Sequence, residues 1–235
     1  MEWLTVTLAL YARVFRRAGV LIIRNWQVLA SVFVYTGLMT GAALLGSMLG
    51  LLGGLLVTLV WASCVGSFLF LVEAMVRTGR ASLDDFRRSF GAYLWDVVSV
   101  LFVFWVVSLL LGPLLAGTPN GALFALILNL AIFVFFNAVP ELIYLGHFTA
   151  LQLLRESYVF IGENWVEWFP PTLLLGLAIL VAAGLPVGGV LVWLRLALVA
   201  LLAYFAMVVR GLLFLELHGS TRRARAFRHR TGGWG

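Results

Sequence analysis

The 235-residue chain is 63% hydrophobic and only 11% charged, which leaves too little charge to cover the surface of a soluble domain of this size. Its formal net charge is +6, and all sixteen basic residues are arginine. Basic charge in so apolar a chain is typical of a membrane protein facing anionic lipid headgroups, so we expect no nucleic-acid partner. The apolar runs are continuous and lack the alternation of a β-barrel, which predicts an all-α integral membrane protein.

Six transmembrane helices are predicted from apolar runs that approach the roughly 20 residues needed to cross a hydrocarbon core. The fifth is the shortest, because Pro171 is taken as its first residue, with Trp165 as an earlier alternative. The predicted spans are 28–49, 51–75, 97–115, 122–145, 171–183 and 187–215.

The connections between the predicted spans fall into two classes. Gly46–Gly54, Gly112–Gly121 and Gly184–Gly189 are short, uncharged and rich in glycine or proline, which predicts tight turns. Their glycines would also permit close helix contact, within or between chains. The other connections and a basic tail at 218–235 hold almost every arginine. The positive-inside rule therefore predicts that both termini are cytoplasmic.

An internal repeat is predicted from a shift of 139 residues, which aligns Arg16 with Arg155 and Asn25–Trp26 with Asn164–Trp165. A looser third copy begins at Phe86. Each copy would be an interfacial helix followed by a transmembrane hairpin. We therefore predict one transmembrane domain over 1–235, built from repeat units at about 1–75, 82–145 and 150–217.

The predicted interfacial helices carry charge at helical spacing. In the first copy Arg17 and Arg24 lie on one stripe, and in the third copy Glu156 and Glu163 occupy the corresponding positions. One interpretation is that these are separate charged faces, each in contact with water and lipid headgroups. The other is that the two helices pair, with Arg17 and Arg24 against Glu156 and Glu163.

Several polar residues fall within or at the ends of the predicted spans, where charge is costly. Two interpretations are open: they form local ion pairs and hydrogen bonds, or they line a path for protons or cations. Arg195 near Asn129 is the best candidate for a buried polar site, and Pro140 is expected to kink the fourth span beside Glu141. The candidate residues are Glu73, Asn129, Glu141, Arg195, Arg210 and Glu216.

No nucleotide-binding loop, nucleophile elbow or metal-binding helix is recognisable, so we expect no catalytic residue, no cofactor and no metal. The sequence favours a non-enzymatic membrane protein: a scaffold, a lipid-interacting module or an accessory subunit of a membrane complex. Other membrane subunits are then possible partners besides the lipid bilayer. The alternative is a small-solute or ion transporter or channel.

The segments that begin each hairpin carry a family resemblance. With Asn25–Trp26, Asn164–Trp165 and Phe86–Arg87–Arg88, the repeated unit resembles a group of bacterial membrane families, among them the membrane domain associated with glycerophosphodiester phosphodiesterases. The resemblance implies a helical membrane module in the bacterial inner membrane. It does not extend to the phosphodiesterase catalytic domain and implies none of that activity.

Overall fold

The computed structural model describes residues 2–146, 148 and 150–219, so nearly all of the basic tail lies outside the described residues. The described residues are 87% helical and contain no β-strand. A short 3-10 helix, Trp26–Ala30, leads into the second of the α-helices. The described α-helices are α1 (Glu2–Arg24), α2 (Ser31–Met48), α3 (Leu51–Thr78), α4 (Leu83–Ser89), α5 (Leu94–Ala116), α6 (Gly121–Phe135), α7 (Val139–Leu145), α8 (Ala150–Ala183) and α9 (Leu191–His218).

Six helical segments of the described chain are long and apolar enough to cross a membrane, which confirms the predicted all-α, multi-pass architecture. The first span consists of the 3-10 helix and α2, and the fourth span consists of α6 and α7. The spans are Trp26–Met48, Leu52–Thr78, Leu94–Ala116, Gly121–Leu145, Leu151–Ala183 and Leu191–His218.

The fifth span differs from the prediction. The sequence places its start at Trp165 or Pro171, but α8 runs without interruption from Ala150 to Ala183. At 34 residues and about 1.5 Å per residue, α8 is longer than the roughly 30 Å hydrocarbon core, so part of it extends beyond the core. The third predicted repeat unit therefore has one long helix where an interfacial helix and a separate span were expected.

The chain forms two compact units. The first comprises the chain up to Tyr35, Leu71–Asp85 and the chain from Asn164 onward; the second comprises Thr36–Phe70 and Phe86–Glu163. Helices α2, α3, α4 and α8 contribute residues to both units. In the first unit α1 packs along α9, and in the second α5 packs against α6.

Helix α1 has a buried apolar side and an exposed side that carries arginines together with apolar residues such as Val20 and Ile23. Leu10, Val14 and Leu21 are buried, and the Phe15 ring packs edge-on to Phe205 of α9 with 5.8 Å between ring centroids. The arginines Arg16, Arg17 and Arg24 are exposed. The packing of α1 along α9 contributes to the burial of its apolar side.

Candidate functional site

Tyr11 of α1 contacts α8 at a point where two prolines interrupt the helical hydrogen bonding. Pro171 has no N–H, so the carbonyl of Glu167, four residues earlier, loses its normal helical donor. The Tyr11 hydroxyl donates to that carbonyl oxygen at 2.8 Å. The freed acceptor is therefore satisfied by a side chain from another helix, which helps α8 continue through Pro170 and Pro171.

Glu167 itself is only 2% exposed. Burial, and secondarily the negative charge of Glu167, raise the pKa of Tyr11 from 10.0 to about 12. The hydroxyl is therefore protonated throughout the physiological pH range and remains a donor to the Glu167 carbonyl.

Next to this contact, charged and aromatic side chains connect α8 to α9. The guanidinium carbon of Arg210 lies 5.1 Å from the centroid of the fully buried Trp168 ring, within cation–π range. Trp168 also packs edge-on to Phe214, and Phe214 stacks on His218 with 5.0 Å between centroids. Arg210, which is partly buried, and His218, which is exposed, thus contact buried aromatic rings of the first unit.

A second polar centre, the Asn25 junction, comprises Asn25, Gly79 and Ala81. The Asn25 side chain donates to the carbonyls of Leu21 at 2.7 Å and Gly79 at 3.2 Å, and its oxygen accepts the Ala81 N–H at 2.8 Å. Gly79 adopts a φ of +76°, the left-handed conformation that commonly ends a helix at glycine. The junction therefore ties the end of α1 to the chain that leaves α3.

In the second unit, the fourth span is interrupted where Pro140 was expected to bend it. Helix α6 ends at Phe135 and α7 begins at Val139, whose N–H bonds to the Phe136 carbonyl at 3.2 Å. The Phe135 carbonyl accepts instead the Ser157 hydroxyl at 2.8 Å. Glu141, in the first turn of α7, is fully buried.

The other predicted intramembrane residues have mostly local partners. Glu73 pairs with Arg77 at 2.9 Å, and Glu216 lies 4.0 Å from Arg13 of α1. Asn129 is exposed and donates to the Ala125 carbonyl of its own helix at 2.8 Å. Arg195 donates to the Leu185 carbonyl at 3.1 Å.

Of the four residues in the predicted charge pairing, Arg17, Arg24 and Glu163 are exposed and Glu156 is partly buried. Arg17 and Arg24 belong to the first unit, Glu156 and Glu163 to the second. Their pairing stays a prediction.

The sequence reasoning missed Tyr11, Glu167 and the structural role of Asn25. Glu167 was overlooked because the fifth span was started at Pro171, whereas the alternative start at Trp165 would have included it. The Pro170–Pro171 pair carried the usable signal: in a helix that continues through it, the carbonyls four residues earlier need donors from elsewhere. Asn25 was noted only as a repeated residue, since its bonding partners are 54 and 56 residues away.

The Tyr11 hydrogen bond can be tested by a double-mutant cycle. Tyr11→Phe is expected to lower the free energy of unfolding by about 1 kcal/mol, because the Glu167 carbonyl loses its donor. In a Pro171→Ala background the new N–H of residue 171 can bond that carbonyl, so Tyr11→Phe should cost clearly less. Unfolding in detergent micelles, followed by circular dichroism, measures both values. Effects that add within about 0.5 kcal/mol would contradict this account of the bond.

No protein-family model, no curated protein and no solved structure matches this chain.

Proposed function

We propose that this protein is a non-enzymatic, multi-pass membrane module that binds anionic lipid headgroups and serves as a scaffold or accessory subunit of a membrane complex. Its arginine-bearing side and both termini are cytoplasmic, and the membrane is the bacterial inner membrane. The observation that carries the proposal is the division of α1 into a buried apolar side and exposed arginines at 16, 17 and 24.

The physical basis is the electrostatics of the membrane surface. Arg24 lies two residues before the first span begins at Trp26, so its guanidinium is at the depth of lipid headgroups. Each such arginine adds about 1 kcal/mol of attraction to an anionic surface. Packing of α1 on α9 leaves the arginines on the outer side of this helix, where headgroups can reach them.

The experiment that tests the proposal compares lipids by their effect on stability. The purified protein is expected to unfold at a higher temperature when phosphatidylglycerol is added than when phosphatidylcholine is added, because a ligand that binds only the folded state stabilises it. Arg16→Gln/Arg17→Gln/Arg24→Gln should reduce that difference. Glu156→Gln/Glu163→Gln, which removes two charges of the opposite sign, one exposed and one partly buried, should not reduce it. Equal stabilisation by the two lipids would contradict lipid binding.

The accessory role has its own test. Purification from native membranes under mild detergent should yield further membrane subunits in fixed ratio to this chain. Recovery of the chain alone, from several detergents, would count against this part of the proposal.

A transporter or channel is the second candidate, favoured by the buried carboxylates Glu141 and Glu167 on membrane-spanning helices. Each lies beside a proline-interrupted stretch, and ionisable residues within spans often belong to transport paths. Flux of protons or cations into liposomes containing only this protein, abolished by Glu141→Gln or Glu167→Gln, would replace the scaffold proposal with this one.

A further inference from the structure

We infer that the Asn25 junction holds Arg24 and Arg80 as a binding site for the phosphate of one anionic phospholipid. The inference rests on the proposed lipid interaction and assigns it to one place. The relevant residues all belong to the first unit.

The junction places two arginines on backbone segments that are bonded to each other. Arg24 immediately precedes Asn25, and Arg80 is the residue between Gly79 and Ala81, whose carbonyl and N–H bond the Asn25 side chain. The Arg80 backbone has a further contact, since its carbonyl oxygen lies 2.8 Å from the Thr78 hydroxyl, which shares its one proton with the Ala74 carbonyl at 2.7 Å. Two guanidinium groups are thus carried by a prearranged frame, which lowers the entropy cost of binding a shared anion.

Both guanidinium groups are available to an external anion. Arg24 and Arg80 are exposed, and neither forms an ion pair with any residue that the structure describes. By contrast, Arg77 and Arg13 are engaged by Glu73 and Glu216. The carboxylate of Asp85 accepts the N–H and hydroxyl of Ser82 at 2.8 and 2.7 Å, so it is already occupied by local donors.

The position along the spans selects a lipid over a soluble anion. The first span begins at Trp26, and the second ends at Thr78. Arg24 and Arg80 therefore each lie two residues outside the end of a span, at the depth where phospholipid phosphates are found. Trp26 is 65% exposed beside them, and an indole at this depth can pack on the glycerol region while its N–H faces the headgroup.

The test measures binding of phosphatidylglycerol to the full chain in neutral detergent by native mass spectrometry, with phosphatidylcholine as the reference lipid. Arg24→Gln/Arg80→Gln should weaken the first bound phosphatidylglycerol by roughly 10- to 30-fold, the loss expected for two guanidiniums at a membrane surface. The matched control, Arg87→Gln/Arg88→Gln, removes equal charge from two exposed arginines of α4. It should weaken binding less than about threefold, because those residues lie outside the junction.

The outcomes separate the site from the general proposal. Equal losses in the two double variants would overturn the junction site and leave anionic-lipid binding intact. No preference for phosphatidylglycerol in the unmodified protein would overturn both. Displacement of the lipid by millimolar inorganic phosphate would show a site for free anions and would also overturn the inference. Circular dichroism of both variants checks that each is folded.

Discussion

Gly53→Ala is expected to lower the free energy of unfolding by about 1–3 kcal/mol or more, the usual loss when extra atoms are forced into a filled space. A methyl carbon at residue 53 of α3 would lie 1.9 Å from the carbonyl oxygen of Gly46 in α2, far inside van der Waals contact. The obstacle is backbone and not a flexible side chain, so two helices would have to separate. The measurement is unfolding in detergent micelles, followed by helical circular dichroism.

The neighbouring residue supplies the control. A methyl group at Gly54 would meet no atom within 4 Å, and alanine is the better helix former by up to about 1 kcal/mol. Gly54→Ala should therefore leave stability unchanged or raise it slightly. If both variants unfold alike, the close approach of α2 and α3 at Gly46 and Gly53 does not exist as described.

This hairpin also shows what glycine-rich sequence can and cannot predict. The glycines between Gly46 and Gly54 correctly indicated a turn, and Gly50 has the left-handed φ of +57° that favours glycine there. Sequence spacing did not distinguish Gly53, which lies against the Gly46 backbone, from Gly54, which is exposed. The difference depends on the rotation of α3 about its axis, which packing against α2 determines.

The spans were predictable because backbone groups in lipid must be hydrogen-bonded within the protein, and a long apolar helix bonds them within one segment. Contacts between residues that are distant in sequence were not predictable. Pro170 and Pro171 suggested the start of a helix, a position that proline favours. In the structure, Tyr11 supplies a donor from a segment 156 residues away, and α8 continues. This tertiary hydrogen bond satisfies the carbonyl that Pro171 frees, and no periodicity in the sequence reveals it.

The same limit applies to the candidate site. Glu73, Glu141 and Glu216 were recognised because charge is conspicuous in an apolar chain, and Glu73 does pair with the nearby Arg77 as one interpretation expected. Asn25 carries no charge, and its importance comes from three hydrogen bonds that only the folded chain brings together. The structural role of a buried amide of this kind cannot be recognised from composition.

Asn25→Ala is accordingly expected to have the other large effect. The Ala81 N–H and the Gly79 carbonyl would lose their side-chain partner at a position where Asn25 is only 6% exposed. Gly79 and Ala81 are only partly buried, so water can reach the freed groups, and the expected loss is about 1–3 kcal/mol in total. Unfolding in the same detergent gives the value.

Asn129→Ala is the matched control, because that amide is exposed and bonds only within its own helix. Its effect should stay within about 0.5 kcal/mol. Asn25→Ala also tests the hydrogen bonds apart from the charges. Arg24 and Arg80 remain, but the side-chain bonds from residue 25 to Gly79 and Ala81 are lost. If the variant is folded, its preference for phosphatidylglycerol should fall toward that of Arg24→Gln/Arg80→Gln. Unchanged lipid preference with reduced stability would show that the two arginines bind lipid without the junction.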